Sequence, residues 1–303
     1  MGPLWLTCDE HRQRGRGEMV TVSVVIPVFN EEDVIGACLE CLVAQTLPVD
    51  ECIVVDNNCS DRTIAIAESF SDRLPIRVVT APRQGVVWAR DAGFDASSTD
   101  VIGRIDADTR LDPNWCAALV EFMTARPEVA AVTGFDYLYD VPLEHRFEKR
   151  QRRNAERFAD GREAFTLSGN NMAIRRTAWS SVRSDVPNLP GTHEDIDLFF
   201  TLREKDAVVW VVPAMLAAVS PRRFRMSPWA NRKYRAAAVK TTRVHGRRRQ
   251  AAVMVAQSPL LYTSLFIWWL RVKPFDPQTR TWRPWRLFAR EDERASPMTA
   301  EWR

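Results

Sequence analysis

Val22-Ser23-Val24-Val25-Ile26-Pro27-Val28-Phe29-Asn30-Glu31 is the stretch whose reading decides the fold. Its nearly continuous apolar run, broken by polar residues from Asn30, is what a strand covered on both faces requires. Downstream, Val34, Ile35, Cys38, Leu39 and Leu42 fall on one helical face, which predicts a helix over Glu31 to Gln45. Cys52-Ile53-Val54-Val55 reads as a second strand that gives way to Asp56-Asn57-Asn58. The same alternation continues with a helix from Asp61 to Phe70, a strand from Ile76 to Thr80 and a helix from Gly85 to Ala96. A strand from Val101 to Ile105 then ends at Asp106. Asp112-Pro113 reads as an N-cap followed by proline at the first helical position, opening a helix through Thr124, and Val129 to Val132 is a further strand.

Strands alternating with helices of this length predict an α/β fold: a Rossmann-like, mostly parallel twisted sheet flanked by helices. Ligands of such sheets lie beyond the carboxyl ends of the strands. Asn30, Asp56 and Asp106 all stand just past strand ends, so three strands deliver polar side chains to one crevice. After residue 140 the pattern changes. Glu144 to Glu163 is densely charged and helical in character, Ser168-Gly169-Asn170-Asn171 is a turn, and His193-Glu194-Asp195 precedes an amphipathic helix. Val208 to Val212 is another strand.

The chain has 303 residues, 46% hydrophobic and 27% charged, enough for one large α/β domain with an appendage. Its organisation reads as a flexible basic leader over 1–20, an α/β domain over 21–215 with halves over 21–110 and 111–215, and a basic, aromatic, helical extension over 216–303. The leader holds His11-Arg12-Gln13-Arg14-Gly15-Arg16-Gly17 and no apolar segment of the signal-peptide kind. Six cysteines, at 8, 38, 41, 52, 59 and 116, include one C-x2-C pair but no second pair at zinc-like spacing. Free thiols in a reducing cytosol are the expectation.

The net charge of +3 conceals an asymmetry: between Asp206 and Asp276 there are 13 Lys or Arg and not one Asp or Glu. Such a lobe suits phosphates, on lipid headgroups or on substrate, or else is a solvated basic helix. Ala251 through Leu270 carries no charge and ends in Phe266-Ile267-Trp268-Trp269. Interruption by Gln257, Ser258 and Pro259 favours a helix lying at a membrane surface over a span, with a packed helix or dimer contact as the other reading.

The chemistry-bearing residues follow from the strand ends. Asp106-Ala107-Asp108 offers two carboxylates that turn toward one cleft once the strand ends, a suitable oxygen set for Mg²⁺ or Mn²⁺ with a diphosphate; capping of the next helix is the plainer reading. Asp56 can accept from a nucleobase or ribose, or close an Asx-turn. Arg83 and Arg90 flank a glycine turn. Gly85, Ala89 and Gly93 permit close helix packing, and Arg90 can reach a base, a phosphate or a nearby carboxylate. Glu194 and Asp195, at a helix N-terminus, are stabilised as carboxylates there or simply cap the helix.

Taken in order, these motifs resemble the inverting family 2 glycosyltransferases of the GT-A fold. The resemblance rests on Ser23 to Glu32, Val55-Asp56, Gly85…Ala89-Arg90…Gly93, Asp106-Ala107-Asp108, Gly169-Asn170-Asn171 and Glu194-Asp195, over roughly residues 21–215. It implies a nucleoside-diphosphate sugar donor and a hydroxyl acceptor, with hexosyl transfer in cell-envelope glycan synthesis as the setting. Asp195 is then the general base, and Asp108 binds the divalent cation with His245 (or His193) as a further ligand. Pro27, Asn30, Glu31, Asp56, Arg83, Arg90 and Asp106 bind the donor, while Gly169, Asn170, Asn171 and Glu194 border the sugar and acceptor. Polymerising relatives carry Gln-x-x-Arg-Trp after the base; here the region reads Pro221-Arg222-Arg223-Phe224-Arg225-Met226, so transfer of single sugars is expected. The expected partners include an anionic membrane surface, on its cytoplasmic face, and no nucleic acid. Two other classes remain in view. A silent nucleotide-sugar-binding scaffold would be expected to lose a metal or base carboxylate, and both are kept. A nucleotidyltransferase would be expected to show a glycine-rich, lysine-bearing loop after the first strand, where Pro27-Val28-Phe29-Asn30 stands.

Overall fold

The computed structural model describes residues 19–289; the leader segment His11 to Gly17 and Cys8 lie outside them. In chain order the elements are β1 (Val22–Val28), α1 (Ile35–Val43), β2 (Glu51–Asp56), α2 (Thr63–Glu68), β3 (Ile76–Thr80), α3 (Val86–Ala96) and β4 (Val101–Arg104). Next come β5 (Arg110–Leu111), α4 (Trp115–Ala125), β6 (Val129–Leu138), α5 (Glu144–Arg157), β7 (Arg162–Glu163), β8 (Met172–Arg175), α6 (Arg176–Val182), α7 (Glu194–Glu204) and β9 (Val208–Val219). The carboxyl-terminal part holds α8 (Arg222–Arg225), α9 (Arg232–Val244), α10 (Arg248–Ala256), α11 (Ser258–Val272), a small hairpin of β10 (Phe275–Asp276) and β11 (Thr281–Trp282), and a 3-10 turn over Pro284–Leu287.

Nine strands form one sheet in the order β3-β2-β1-β4-β8-β6-β9-β5, with β7 also pairing β9. The first four strands are parallel, as the buried apolar runs predict. Beyond them the sheet is mixed: β8 runs antiparallel to β4 and β6, while β6 and β9 are parallel to each other. Successive residues of β1 serve opposite faces. Val24 and Ile26 join Leu39, Leu42, Trp115 and Leu119, whereas Val25 packs with Phe94, Ile102, Ile174 and Leu198. Helices α1 and α4 therefore cover one face, and α3, α6 and α7 the other. On the second face the small-residue stripe of α3 lets it close on the sheet: a Cβ on Gly93 would lie 2.3 Å from Val25 Cγ1.

Several boundaries differ from the sequence reading, among them the last sheet strand, which runs on to Val219, and the charged helix, which ends at Arg157; three others have a local cause. The first helix starts at Ile35, because the Glu31 carbonyl accepts from both Val34 and Ile35 N–H and makes a turn of the preceding residues. Asp112-Pro113 is likewise a turn ahead of α4: Asp112 accepts from Asn114 and Trp115 N–H, and Asn114 takes the N-cap position. Strand β6 runs to Leu138, carried past its apolar start by a bulge between Thr133 and Phe135 that keeps it paired with β9.

The uncharged segment 251–270 is two helices, α10 and α11, meeting at a bend of 51°. Gln257 stands at the break and Pro259 lies in the first turn of α11, where a missing N–H costs nothing. Among the described residues no single helix is long and apolar enough to cross a membrane; the bent pair together has the length and composition.

Candidate active site

Between β1 and β4 the strand order reverses, since β1 leads to β2 on one side while β4 lies on the other. In an open α/β sheet the crevice forms at such a switch point. Asn30 and Asp106 flank it, and Asp56 ends the next strand, in register with Val28. Asn30 takes a left-handed backbone conformation (φ 54°), which asparagine tolerates, and its Oδ1 accepts from Ser60 N–H at 2.8 Å. Asp56 accepts from Cys59 N–H at 2.8 Å, three residues on, so its carboxylate closes the loop that shapes the crevice wall. Pro27, half-buried in β1 opposite Val55, belongs to its floor. Asn57, not singled out in the sequence, ties the far wall together by donating to the Ala81 and Arg83 carbonyls and accepting from Gly85 N–H. The exposed Arg83 guanidinium lies over the Trp88 ring at 3.6 Å.

The centre of the cleft is a charge network. Arg222, in α8, donates to both Glu31 oxygens at 2.8 Å and lies 3.3 Å from Asp108 Oδ2. Arg104, the last residue of β4, is buried and pairs with Glu194 Oε1 at 3.0 Å and Asp106 Oδ1 at 3.1 Å. Asp195 Oδ2 accepts from Gly169 N–H at 3.1 Å. A Cβ on Gly169 would stand 1.5 Å from Arg104 Nη1, so only glycine lets this turn lie on the guanidinium. Arg223 packs on the Tyr234 ring at 3.3 Å and feels Asp106, Asp195, Glu194 and Asp108.

This crowding moves the carboxyls in opposite directions. Burial, with Asp108 and Glu194 nearby, raises Asp106 above the ordinary carboxylate range. Burial, with Glu31 nearby, raises Asp108, and burial with Glu194 beside it raises Asp195. Glu194 is pushed up by burial too, but the Arg104 and Arg90 guanidiniums outweigh that and hold it ionised. Asp136, on β6, is pushed by burial up to about 7 and accepts from Asn171 Nδ2 at 2.9 Å.

Several expected residues stand elsewhere. Arg90 is fully buried behind the cleft: all three guanidinium nitrogens are used, on Asp91, on Asn188 and on the Glu194 carbonyl at 2.8 Å. It is a structural bridge, and not a donor contact. Asn171 is also fully buried. It accepts from Trp115 Nε1 and donates to the Phe135 and Met215 carbonyls and to Asp136, so it braces the cleft instead of bordering the sugar. Asn170 stays nearer, its carbonyl accepting from Thr109 and its Oδ1 from Ser168. His245 is not brought to Asp108; its ring nitrogens meet Asp197 at 2.9 Å and Glu204 at 2.8 Å. His193 Nε2 meets the Tyr234 carbonyl at 2.9 Å, so it is not positioned as the alternative ligand. It also takes the N-cap position of α7 without a side-chain cap bond, while Asp195 Oδ1 accepts from the first-turn Ile196 N–H at 2.8 Å.

A divalent cation suits what remains. Asp106 and Asp108 are hard oxygen donors whose affinity for protons is raised first by burial and then by the carboxylates beside them. Among the described residues no three His, Cys, Asp or Glu side chains converge as a full ligand cage. Asp106 and Asp108 would therefore supply only part of a cation's oxygen ligands, the rest coming from substrate phosphates and water. Arg104, Arg222, Arg223 and Asp136 were missed in the sequence. The one signal for Arg104 was a charge within a buried apolar run, which has to be paired.

Comparison with known proteins agrees with this geometry. The family description "Glycosyl transferase family 2" matches residues 23–182, more than half of the chain. The chain is 38% identical over 99 residues to glycosyltransferase AglE of Haloferax volcanii, covering 31% of this chain and 32% of that one. With the lipopolysaccharide core biosynthesis glycosyltransferase LpsC of Rhizobium meliloti it shares 29% identity over 149 residues, 48% and 54% of the two chains. The match thus spans from about a third to about half the length of these relatives. Residues 1–349 of S. aureus TarS superimpose with a TM-score of 0.55 at 17% identity, covering 74% of this chain and 65% of that one. Glucosyl-3-phosphoglycerate synthase from Mycobacterium tuberculosis gives 0.54 at 22% identity, covering 81% and 86%. At those identities the likeness is one of fold, the GT-A arrangement of a central sheet flanked by helices. By its matched residues and the architecture that presents them, the chain belongs to glycosyl transferase family 2.

Proposed function

We propose that this protein transfers single hexosyl units, with inversion, from a nucleoside-diphosphate sugar to a hydroxyl acceptor. The observation that carries the reading is the convergence of Asp108 and Asp195 on one cleft at the switch point of the sheet. Arg222 lies 3.3 Å from Asp108 Oδ2, and Arg104 and Arg223 act electrostatically on Asp195. The structurally similar proteins support the donor class: TarS has been crystallised with UDP and with UDP-GlcNAc, and the mycobacterial synthase with Mn²⁺, UDP-glucose and phosphoglyceric acid.

Asp195 accepts the acceptor's proton as its oxygen attacks the anomeric carbon on the face opposite the departing diphosphate. Its raised proton affinity suits that role, while Glu194 stays ionised on Arg104. Arg222 and Arg223 offer guanidinium donors to the diphosphate, and Arg222 exchanges Glu31 and Asp108 for phosphate oxygens. Asp108, with Asp106 alongside, holds the divalent ion, which when bound supplies neutralisation of the leaving diphosphate. Residues 221–226 form the short helix α8 over the cleft and lack the polymerase signature, which supports single transfer over chain growth. We place the enzyme peripherally on the cytoplasmic face of a membrane, with a lipid-linked or cell-envelope acceptor. The acid-free extension and the unpaired cysteines at 38, 41, 52, 59 and 116 support that setting.

The test is release of nucleoside diphosphate from a panel of UDP- and GDP-hexoses in Mn²⁺, run beside Asp195→Asn. The variant should lose about 10²–10⁴-fold in turnover while keeping donor affinity. Full turnover by Asp195→Asn would remove the base from this mechanism.

A further inference from the structure

Away from the cleft, α9, α10 and α11 enclose a groove of about 360 Å³. Arg232, Arg235, Lys240 and Arg243 line it from α9, and the hydroxyls of Ser258 and Tyr262 line it from α11. The spacing 232, 235, 240, 243 keeps the four cations near one another on the helix, where like charges repel. None of them forms an ion pair with a carboxylate among the described residues. No carboxylate lines the groove, and the sequence supplies none between Asp206 and Asp276. Arg235 donates through Nη2 to the Met254 carbonyl at 2.8 Å, while its Nε is buried without a hydrogen-bond partner. A concave site with four cations, a tyrosine hydroxyl and no carboxylate suits a phosphoryl group.

Its surroundings select among phosphates. Trp229, 73% exposed, packs against Tyr262 at the groove with ring centroids 6.2 Å apart. Phe266, one turn beyond Tyr262 along α11, is 48% exposed. A soluble phosphate would fill the groove and leave this apolar rim in water. A lipid headgroup would satisfy the cations and bring the rim to the level of glycerol and acyl chains, where tryptophan and basic residues are favoured.

We propose that the groove binds the phosphoryl headgroup of an anionic lipid and lays the bent α10–α11 pair on the bilayer surface. This rests on the membrane setting given above and specifies which residues recognise the lipid. It also gives the acid-free lobe a role separate from the sugar-transfer cleft.

Sedimentation of the full chain with vesicles tests it, comparing phosphatidylcholine alone with phosphatidylcholine containing phosphatidylglycerol. Two double variants remove equal charge: Arg235→Gln with Arg243→Gln in the groove, and Arg248→Gln with Arg249→Gln on the exposed start of α10. Circular dichroism confirms that each is folded. The wild-type chain should bind the anionic vesicles, and the groove variant should lose about tenfold more affinity than the α10 variant. Trp229→Ser should weaken binding to both vesicle types. Equal losses in the two double variants would overturn the groove assignment while leaving membrane binding in place. Failure of the wild-type chain to bind any vesicle would overturn both. If calorimetry shows inorganic phosphate bound by the wild-type chain and lost in the groove variant, while vesicle binding is unchanged by it, the site serves a soluble phosphate and the lipid assignment falls.

Discussion

At the scale of single residues, the cleft depends on side chains that support the reacting ones. Gly169 is the clearest case, because a Cβ there would meet the Arg104 guanidinium that holds Glu194 and Asp106. Gly169→Ala should cost about 1–3 kcal/mol of stability by overpacking, and it should lower turnover by displacing the Asp195 contact. Urea denaturation and steady-state kinetics measure the two effects. Asp136 gives a pH signature. Its carboxyl rises from an ordinary 3.8 to about 7 in the folded protein, so folding takes up a proton between those values. The sign follows: its stability contribution is complete below about pH 4 and is lost as pH rises through about 7. Asp136→Asn should flatten the fall in Tm between those limits, and equal slopes in both proteins would refute the assignment. The strand-end carboxylates were legible because a polar residue after a buried run has few places to go. Arg90 and Asn171 were misplaced because sequence spacing puts a residue near a crevice without saying which side of the backbone faces it. Arg222 was illegible for another reason: its partners Glu31 and Asp108 lie 191 and 114 positions earlier.

Among the elements, α4 links the sheet to the cleft. Trp115 is fully buried, fits against the space left by Gly103, and donates from Nε1 to Asn171 Oδ1 at 2.8 Å. Trp115→Phe should keep much of the packing but leave that oxygen without its donor, a loss of about 1–3 kcal/mol. Equilibrium denaturation measures the loss; a double variant with Asn171→Ala should show strong coupling if the bond is the cause. The early strands and helices could be read well, since parallel strands covered on both faces leave an unmistakable apolar run. The β6 extension could not, because its residues beyond Thr133 are half-buried and mixed in character, and pairing with β9 alone carries them. The break between α10 and α11 was visible as Gln257 and Pro259, although the bend angle was not.

For the molecule as a whole, charge is divided between an acidic cleft and a basic lobe. A cleft whose carboxylates are crowded should bind diphosphate weakly until a cation joins it. UDP and Mn²⁺ together should therefore raise Tm by more than the sum of their separate effects, and UDP at a hundredfold excess over its Kd in Mn²⁺ should stabilise by about 2.7 kcal/mol. Differential scanning fluorimetry with and without chelator checks this, and simple additivity would count against a shared site. The closure of Arg222 on Glu31 has a further consequence for biosynthesis. The parallel strands and their helices are complete once residue 104 has left the ribosome, yet Glu31 and Asp108 gain their guanidinium only after residue 222 has followed. Until then Glu31 and Asp108 lack the arginine that closes over them, and Arg104 beside Asp106 is the guanidinium already in place.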